Sequence, residues 1–217
     1  MQITKLGHCC LLIETNGKRI LTDPGTYSTK QNEVRNIDLI LITHEHADHL
    51  HVESLQTVLK NNPKAHIVTN ASVGKILSEQ KIAFEVCSDG MKTLFQNVPI
   101  EAIGKTHAKA YGDFPELENT GFWIAGRFFY PGDALTDPKR KIEILALPVA
   151  GPWIKLAEAI DYEKRVKPKV CFPVHDGMLQ TDKVYPFHNT ARMFLEKEGI
   201  RFVVLEEGKA QKFDPIP

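Results

Sequence analysis

No run of apolar residues in this chain approaches the roughly 20 needed to cross a bilayer as a helix, so no membrane span is expected. The first residues, Met1-Gln2-Ile3-Thr4-Lys5, pass straight into strand-like alternation. They have neither the apolar core nor the small-residue cleavage site of a secretory leader, and the expected compartment is the cytoplasm. Net charge is also missing: 27 basic and 27 acidic residues cancel, which removes the bulk field that attracts nucleic acid or an anionic membrane surface. Cysteine is scarce, with four in 217 residues. Cys9 and Cys10 are adjacent, Cys87 and Cys171 stand alone, and no disulfide framework or C-x-x-C knuckle emerges. Buried, inert thiols are the expectation. Linkers, low-complexity tracts and clear repeats are absent, and the length suffices for a full core. Residues 1–217 are therefore read as one domain.

What is present is an alternation of short strands and amphipathic helices. Ile3–Leu6, Cys10–Glu14 and Arg19–Leu21 are strand candidates, with Asn16-Gly17 as a hairpin turn between the last two. Ile37–Ile42 is a continuous apolar run, as expected of a strand covered on both faces. A helix from Val52 to Leu59, a strand at His66–Thr69, a helix from Ser72 to Glu79 and a strand near Phe84 follow. Val98–Gly104 reads as a strand leading to His107, and Ala108–Asn119 as a loop over a site. Gly121–Ala125 and Arg127–Tyr130 form a second hairpin around Ala125-Gly126. Ile142–Val149 and Lys169–Val174 are buried strands separated by a helix from about Trp153 to Arg165. A helix at Phe187–Lys197 and a strand at Arg201–Leu205 close the chain. The predicted class is α/β (α+β), with two similar halves packed sheet to sheet and helices outside.

Of nine histidines, four lie between positions 44 and 51. In extended chain leaving a strand, His44 and His46 project the same way. Asp48 and His49 follow at the turn into the next helix, so nitrogen donors sit beside mixed nitrogen and oxygen donors. Zinc, iron and manganese accept such sets. A solvated, histidine-rich turn is the bland alternative. Against it stand three completing candidates, His107, Asp133 and His175, each just after an apolar strand, where an α/β protein gathers its site.

These motifs resemble the metallo-β-lactamase superfamily of metal-dependent hydrolases. The resemblance covers essentially the whole chain: Asp23 in Leu21-Thr22-Asp23-Pro24-Gly25, the His-x-His-x-Asp-His signature at His44, His46, Asp48 and His49, then His107, Asp133 and His175 in order. It implies a four-layer αββα sandwich with the site along one edge of both sheets. It assigns His44, His46 and His107 to a first metal and Asp48, His49 and His175 to a second. Asp133 would bridge the two, and Asp23 would orient the ligand loop. Two divalent ions are implied, zinc first, with manganese or iron as alternatives. Asp133 stands where the antibiotic-hydrolysing members commonly carry cysteine. Leu6-Gly7-His8-Cys9, Tyr130-Pro131-Gly132-Asp133 and Leu147-Pro148-Val149-Ala150-Gly151-Pro152 are similar instead to a branch related to L-ascorbate-6-phosphate lactonases and N-acylphosphatidylethanolamine phospholipases.

The implied activity is hydrolysis of a small ester, lactone or related substrate by a metal-bridged hydroxide. Coordination lowers the pKa of water from 15.7 to about 7, which supplies a nucleophile without a serine or cysteine. Asp48, His8 and Asp23 are the expected catalytic group, with His8 equally open to a structural role. Around His107, Lys105, Lys109 and Tyr111 are candidate substrate handles, as are Trp153, an apolar wall, and Lys155; a solvated surface lysine is the plain alternative. His51 is assigned to a helix start, and His66 and His188 have no constellation around them. The partner expected is a small molecule, with no membrane and no nucleic acid; oligomeric state is open. A phosphodiesterase or nuclease of the same fold, and a non-catalytic metal-dependent binding protein, are the competing readings.

Overall fold

Alternate residues of the central strands serve two different cores in the computed structural model, which describes residues 1–215. The N-terminal meander of β1 (Gln2–Gly7), β2 (Cys10–Thr15) and β3 (Lys18–Thr22) is antiparallel. Its Asn16-Gly17 turn has φ of 50° and 72°, the two-residue hairpin geometry that Asn-Gly favours. Three parallel additions follow: β4 (Leu39–Ile42), β5 (His66–Thr69) and β6 (Glu85–Val86). The second sheet begins with antiparallel β7 (Lys92–Phe95), β8 (Val98–Ile103), β9 (Gly121–Ile124) and β10 (Phe128–Tyr130). Parallel β11 (Ile144–Pro148), β12 (Val170–Val174) and β13 (Arg201–Phe202) continue it. Finally β14 (Ala210–Lys212) returns to the first sheet and pairs with β1. The orders are β14-β1-β2-β3-β4-β5-β6 and β13-β12-β11-β10-β9-β8-β7.

The Leu-Ile-Leu-Ile of β4 shows why four layers result. Leu39 and Leu41 join the core between the sheets, with Phe122, Phe128, Ala146 and Phe172 from the second sheet. Ile40 and Ile42 turn to the other face, against Leu55 and Val58 of α1 (Val52–Asn61) and Val73 and Leu77 of α2 (Ala71–Glu79). In β11, Ile144 and Ala146 face inward while Leu145 and Leu147 meet α3 (Leu156–Val166) and α4 (Val184–Leu195). The αββα sandwich is thus the observed architecture. All four cysteines are buried free thiols, and no helix among the described residues is long and apolar enough to cross a membrane.

Several boundaries differ from those expected. The third helix begins at Leu156 because Trp153 sits in a turn closed by a Gly151–Ile154 bridge, with Lys155 at the N-cap. The strand expected to run to Leu205 stops at Phe202, and β14 closes the described chain instead. Neither β7 nor β14 was expected. One is an edge strand alternating between exposed and half-buried residues, the other is exposed throughout, so no apolar pattern announces either.

A carboxyl group is stranded in the outer core. Glu163 of α3 is fully buried, and neither oxygen has a hydrogen-bond partner. Burial pushes its pKa well above the ordinary 4.5, with the Cys171 thiol offsetting this in part. A carboxyl with a raised folded-state pKa favours folding below its unfolded value and loses that contribution as pH rises. Each pH unit between the two pKa values costs about 1.4 kcal/mol. Glu163→Gln, neutral at every pH, should match the parent in urea denaturation near pH 4 and exceed it increasingly toward pH 7.

Candidate metal centre

The expected ligands follow the ends of four strands, and two further strand ends supply His8 and Asp23. β4 runs into Thr43-His44 and then a tight turn in which the His49 and Leu50 amides donate to the His46 carbonyl at 2.9 and 2.8 Å. His107 follows β8, Asp133 follows β10, and His175 leaves β12 in the left-handed region at φ 58°. His8 ends β1 and Asp23 ends β3, also with positive φ. Beneath the turn, Gly25 approaches so closely that a Cβ there would lie 1.8 Å from the Asp48 carbonyl oxygen; no larger residue fits without moving the ligand loop.

Two groups of side chains converge, each with its candidate donor atoms within 4.8 Å of one another. One is His44, His46, His107 and Asp133; the other is His8, Asp48, His49 and His175. Asp133 faces both. Its Oδ2 lies 3.4 Å from His107 Nε2 and 2.9 Å from His175 Nε2, and its Oδ1 lies 3.1 Å from His49 Nε2.

Hydrogen bonds on the far side of the rings set which nitrogen faces inward. His49 Nδ1 donates to Asp23 Oδ2 at 2.7 Å, His107 Nδ1 to the Ala108 carbonyl at 2.6 Å, and His175 Nδ1 to the Ala150 carbonyl at 2.5 Å. Thr43 gives its hydroxyl proton to Asp23 Oδ2 at 2.7 Å and so accepts from His44 Nδ1 at 3.0 Å. In each ring Nε2 is the nitrogen that faces inward, and it offers a lone pair whenever the ring is neutral. The Nε2 atoms of His49, His107 and His175, together with Asp133 Oδ1, are buried without any hydrogen-bond partner. Such orphaned atoms are costly, and divalent cations held by the two groups would satisfy them. The donor set therefore fits the metal ions that the sequence implied.

Electrostatics follow from the same packing. Burial would raise the Asp133 pKa, but His49 and His175 outweigh it and hold the carboxyl well below its usual range. Burial likewise lowers His49 and His175, yet Asp133 more than offsets it, aided by Asp23 at His49; His175 is pushed up to about 9. His44 and His46 are lowered, chiefly by desolvation. Burial also opposes ionisation of Asp48, but the neighbouring His175 ring and the hydrogen bond from His8 overcome it and depress its pKa.

His8 is a partner of Asp48. The Gly177 amide donates to His8 Nδ1 at 3.0 Å, so the proton resides on Nε2, which lies 3.2 Å from Asp48 Oδ2. With one nitrogen accepting and the other donating, His8 has no lone pair free for a metal. Asp23 accepts from Thr43 N at 2.8 Å, from the Thr43 hydroxyl, from His49 and from the buried Tyr130 hydroxyl. Asn70, which caps α2 by accepting from Val73 N, donates to the Thr43 carbonyl at 2.8 Å and pins the start of the loop from the other side.

One expectation about the histidines needs correction. His188, read as having no constellation, is buried on α4 with Nε2 2.9 Å from Asp176 Oδ2. Asp176 Oδ1 accepts from Lys5 Nζ at 2.5 Å, and Lys5 also donates to the Pro173 carbonyl at 3.1 Å. This buried Lys5–Asp176–His188 set ties β1 to the segment carrying His175. The only local hint was that Asp176 follows His175. His51 occupies the N-cap position of α1, as expected, and His66 is exposed beside Phe95. Of the candidate handles, Lys109 and Trp153 line a cavity beside the centre, whereas Lys105, Tyr111 and Lys155 do not.

Candidate-ligand strand ends gathered along one edge of a double sheet define a protein of the αββα class with a candidate metal centre. Residues 2–175 match the family model for the beta-lactamase superfamily domain, and the chain belongs to the metallo-β-lactamase superfamily of metal-dependent hydrolases. It is 35% identical over 187 residues to Protein Rv0786c of Mycobacterium tuberculosis, covering 84% of this chain and 87% of that protein. It is 26% identical over 204 residues to a UPF0173 metal-dependent hydrolase of Flavobacterium johnsoniae, covering 87% and 84%. In fold it is similar to Igni18, a metallo hydrolase of Ignicoccus hospitalis, with a TM-score of 0.76, 20% identity and coverage of 98% and 99%.

Proposed function

We propose that the protein hydrolyses a small ester, lactone or related substrate at a dinuclear metal centre, with His44, His46 and His107 holding one ion, Asp48, His49 and His175 the other, and Asp133 reaching both. The observation that carries this is the convergence of unpartnered, buried Nε2 lone pairs on the Asp133 carboxylate. When bound, two such ions polarise the scissile oxygen and acidify water to a pKa of about 7. Zinc is the first expectation, with manganese or iron also suited to these donors.

The chain's own residues supply order. Asp23 keeps the His49 ring in one tautomer and one orientation, and the Ala150 and Ala108 carbonyls do the same for His175 and His107. His8 holds the Asp48 carboxylate through its Nε2 proton. Trp153, only 8% exposed, stands edge-on to His107 and His175 with ring centroids 5.6 and 5.5 Å away. It keeps bulk water from that side, which strengthens the electrostatics within.

The test uses protein purified without added metal, assayed against 4-nitrophenyl esters, lactones and bis(4-nitrophenyl) phosphate. Ester or lactone turnover should be abolished by a chelator and restored by zinc, manganese or iron. Turnover that survives complete metal removal would sink the reading, and turnover of the phosphodiester alone would replace it with the phosphodiesterase.

A further inference from the structure

Beside the centre lies a cavity of about 440 Å³ that shares His46 and His107 with the first group of candidate ligands. That size is ordinary for a small-molecule site, and its chemistry is selective. Trp153, Pro152, Leu117 and Phe114 supply apolar walls, and the charged lining consists of one lysine, Lys109, and one carboxylate, Glu116.

Two backbone amides at the base of the loop are already engaged. The His107 amide is taken by the Leu117 carbonyl at 2.9 Å and the Ala108 amide by the Asp133 carbonyl at 2.8 Å. A phosphate monoester carries about −1.5 to −2 charges and three strong acceptor oxygens, and one exposed lysine offset by a glutamate does not match them.

The walls are held in place. The loop is closed at its base by the Thr106–Glu118 bridge and by the Asn119 amide on the Lys105 carbonyl at 3.2 Å. Glu118 Oε2 also accepts from Ser72 N at the start of α2, at 2.8 Å. Trp153 is wedged between the two ligand histidines and Gly151, where a Cβ would come within 2.9 Å of its Nε1. Phe114, 58% exposed, stands at the rim as an aromatic side chain left largely uncovered.

We infer that this cavity is a subsite for an apolar alkyl or aryl acyl group, so that the substrate is a hydrophobic ester, lactone or amide and not a phosphorylated sugar. The assignment of the occupant as substrate rests on the hydrolase reading above. A carbonyl placed against His46 and His107 has this volume as its enclosed neighbour, and the acyl chain is the part that would fill it.

The experiment reads binding and turnover separately. Trp123 and Trp153 are the two tryptophans, so Trp123→Phe leaves Trp153 as the sole indole reporter in the cavity wall. Metal-loaded Trp123→Phe protein is titrated with acetate, butyrate, hexanoate, phenylacetate and glucose 6-phosphate while Trp153 fluorescence is followed. Affinity should rise about fourfold per added methylene, the equivalent of about 0.8 kcal/mol for each one buried. Phenylacetate should bind more tightly than acetate, and glucose 6-phosphate should be the weakest. Phe114→Ser, an exposed change that leaves the core intact, should flatten the dependence on chain length. Equal affinity across the carboxylates, tightest binding of the sugar phosphate, or no saturable change would overturn the subsite.

Turnover of 4-nitrophenyl acetate, butyrate and hexanoate tests the underlying reading. Graded binding without metal-dependent turnover would remove the hydrolase and leave the apolar subsite. Metal-dependent turnover indifferent to acyl length, with ungraded binding, would remove the subsite and leave the hydrolase.

Discussion

Asp133→Ala protein should fold, bind less metal than the parent and lose hydrolytic turnover by about a thousandfold or more, a loss at the upper end of that for a single transition-state contact. The reason lies in its position. Its carboxylate reaches candidate donors of both sets, with oxygens 2.9–3.4 Å from the Nε2 atoms of His49, His107 and His175. On the proposed reading, removing it would delete a ligand oxygen for each ion and also the negative charge that faces His49 and His175. Elemental analysis after gel filtration, alongside ester turnover, reads both effects. Parental metal content together with parental turnover would show that Asp133 is no ligand.

The second large effect is expected away from any ligand. Lys5→Met should destabilise the protein by about 3–5 kcal/mol, the usual result of removing one partner from a buried ion pair. For a chain of this size that corresponds to roughly 2–4 °C of Tm per kcal/mol. Lys5 and Asp176 are 4% and 8% exposed, so the variant leaves Asp176 buried with His188 as its remaining side-chain partner. Adding Asp176→Leu should recover much of the loss, because an apolar pair of similar volume often replaces a buried ion pair at little cost. Metal affinity should stay weakened in the double variant, since the segment that carries His175 has lost its tie to β1. Differential scanning fluorimetry and metal titration separate the two consequences. A double variant no more stable than Lys5→Met alone would show that the pair is not energetically coupled.

Local pattern carried most of the fold. The apolar run ending at Ile42, the Asn16-Gly17 turn and the amphipathic repeats of α1 and α2 are written in residues within one element, so periodicity suffices to read them. Edge strands escape that logic. The Ala-Gln-Lys of β14 has no buried face and is a strand because β1 lies beside it. The candidate ligands were legible for a different reason: four fall within six residues, and each later one follows an apolar strand. Where His8 points, and that His188 has a carboxylate partner, depends on chain segments far apart. Gly177 bonds to His8 across 169 residues, and Lys5 to Asp176 across 171.

The sequence by itself determined the chemical types of the donors, their order along the chain and the layers that carry them, because these follow from side-chain chemistry and from period. Only the tertiary structure decided how the rings are oriented and what surrounds them. The Asp23, Ala108 and Ala150 acceptors set the tautomers, the Lys5–Asp176–His188 set ties the two sheets together, and Trp153 with the 106–117 loop shapes an apolar cavity at the metal edge. Hydrogen bonds and burial act through space between residues that no local pattern relates, and they exist only once both sheets are packed.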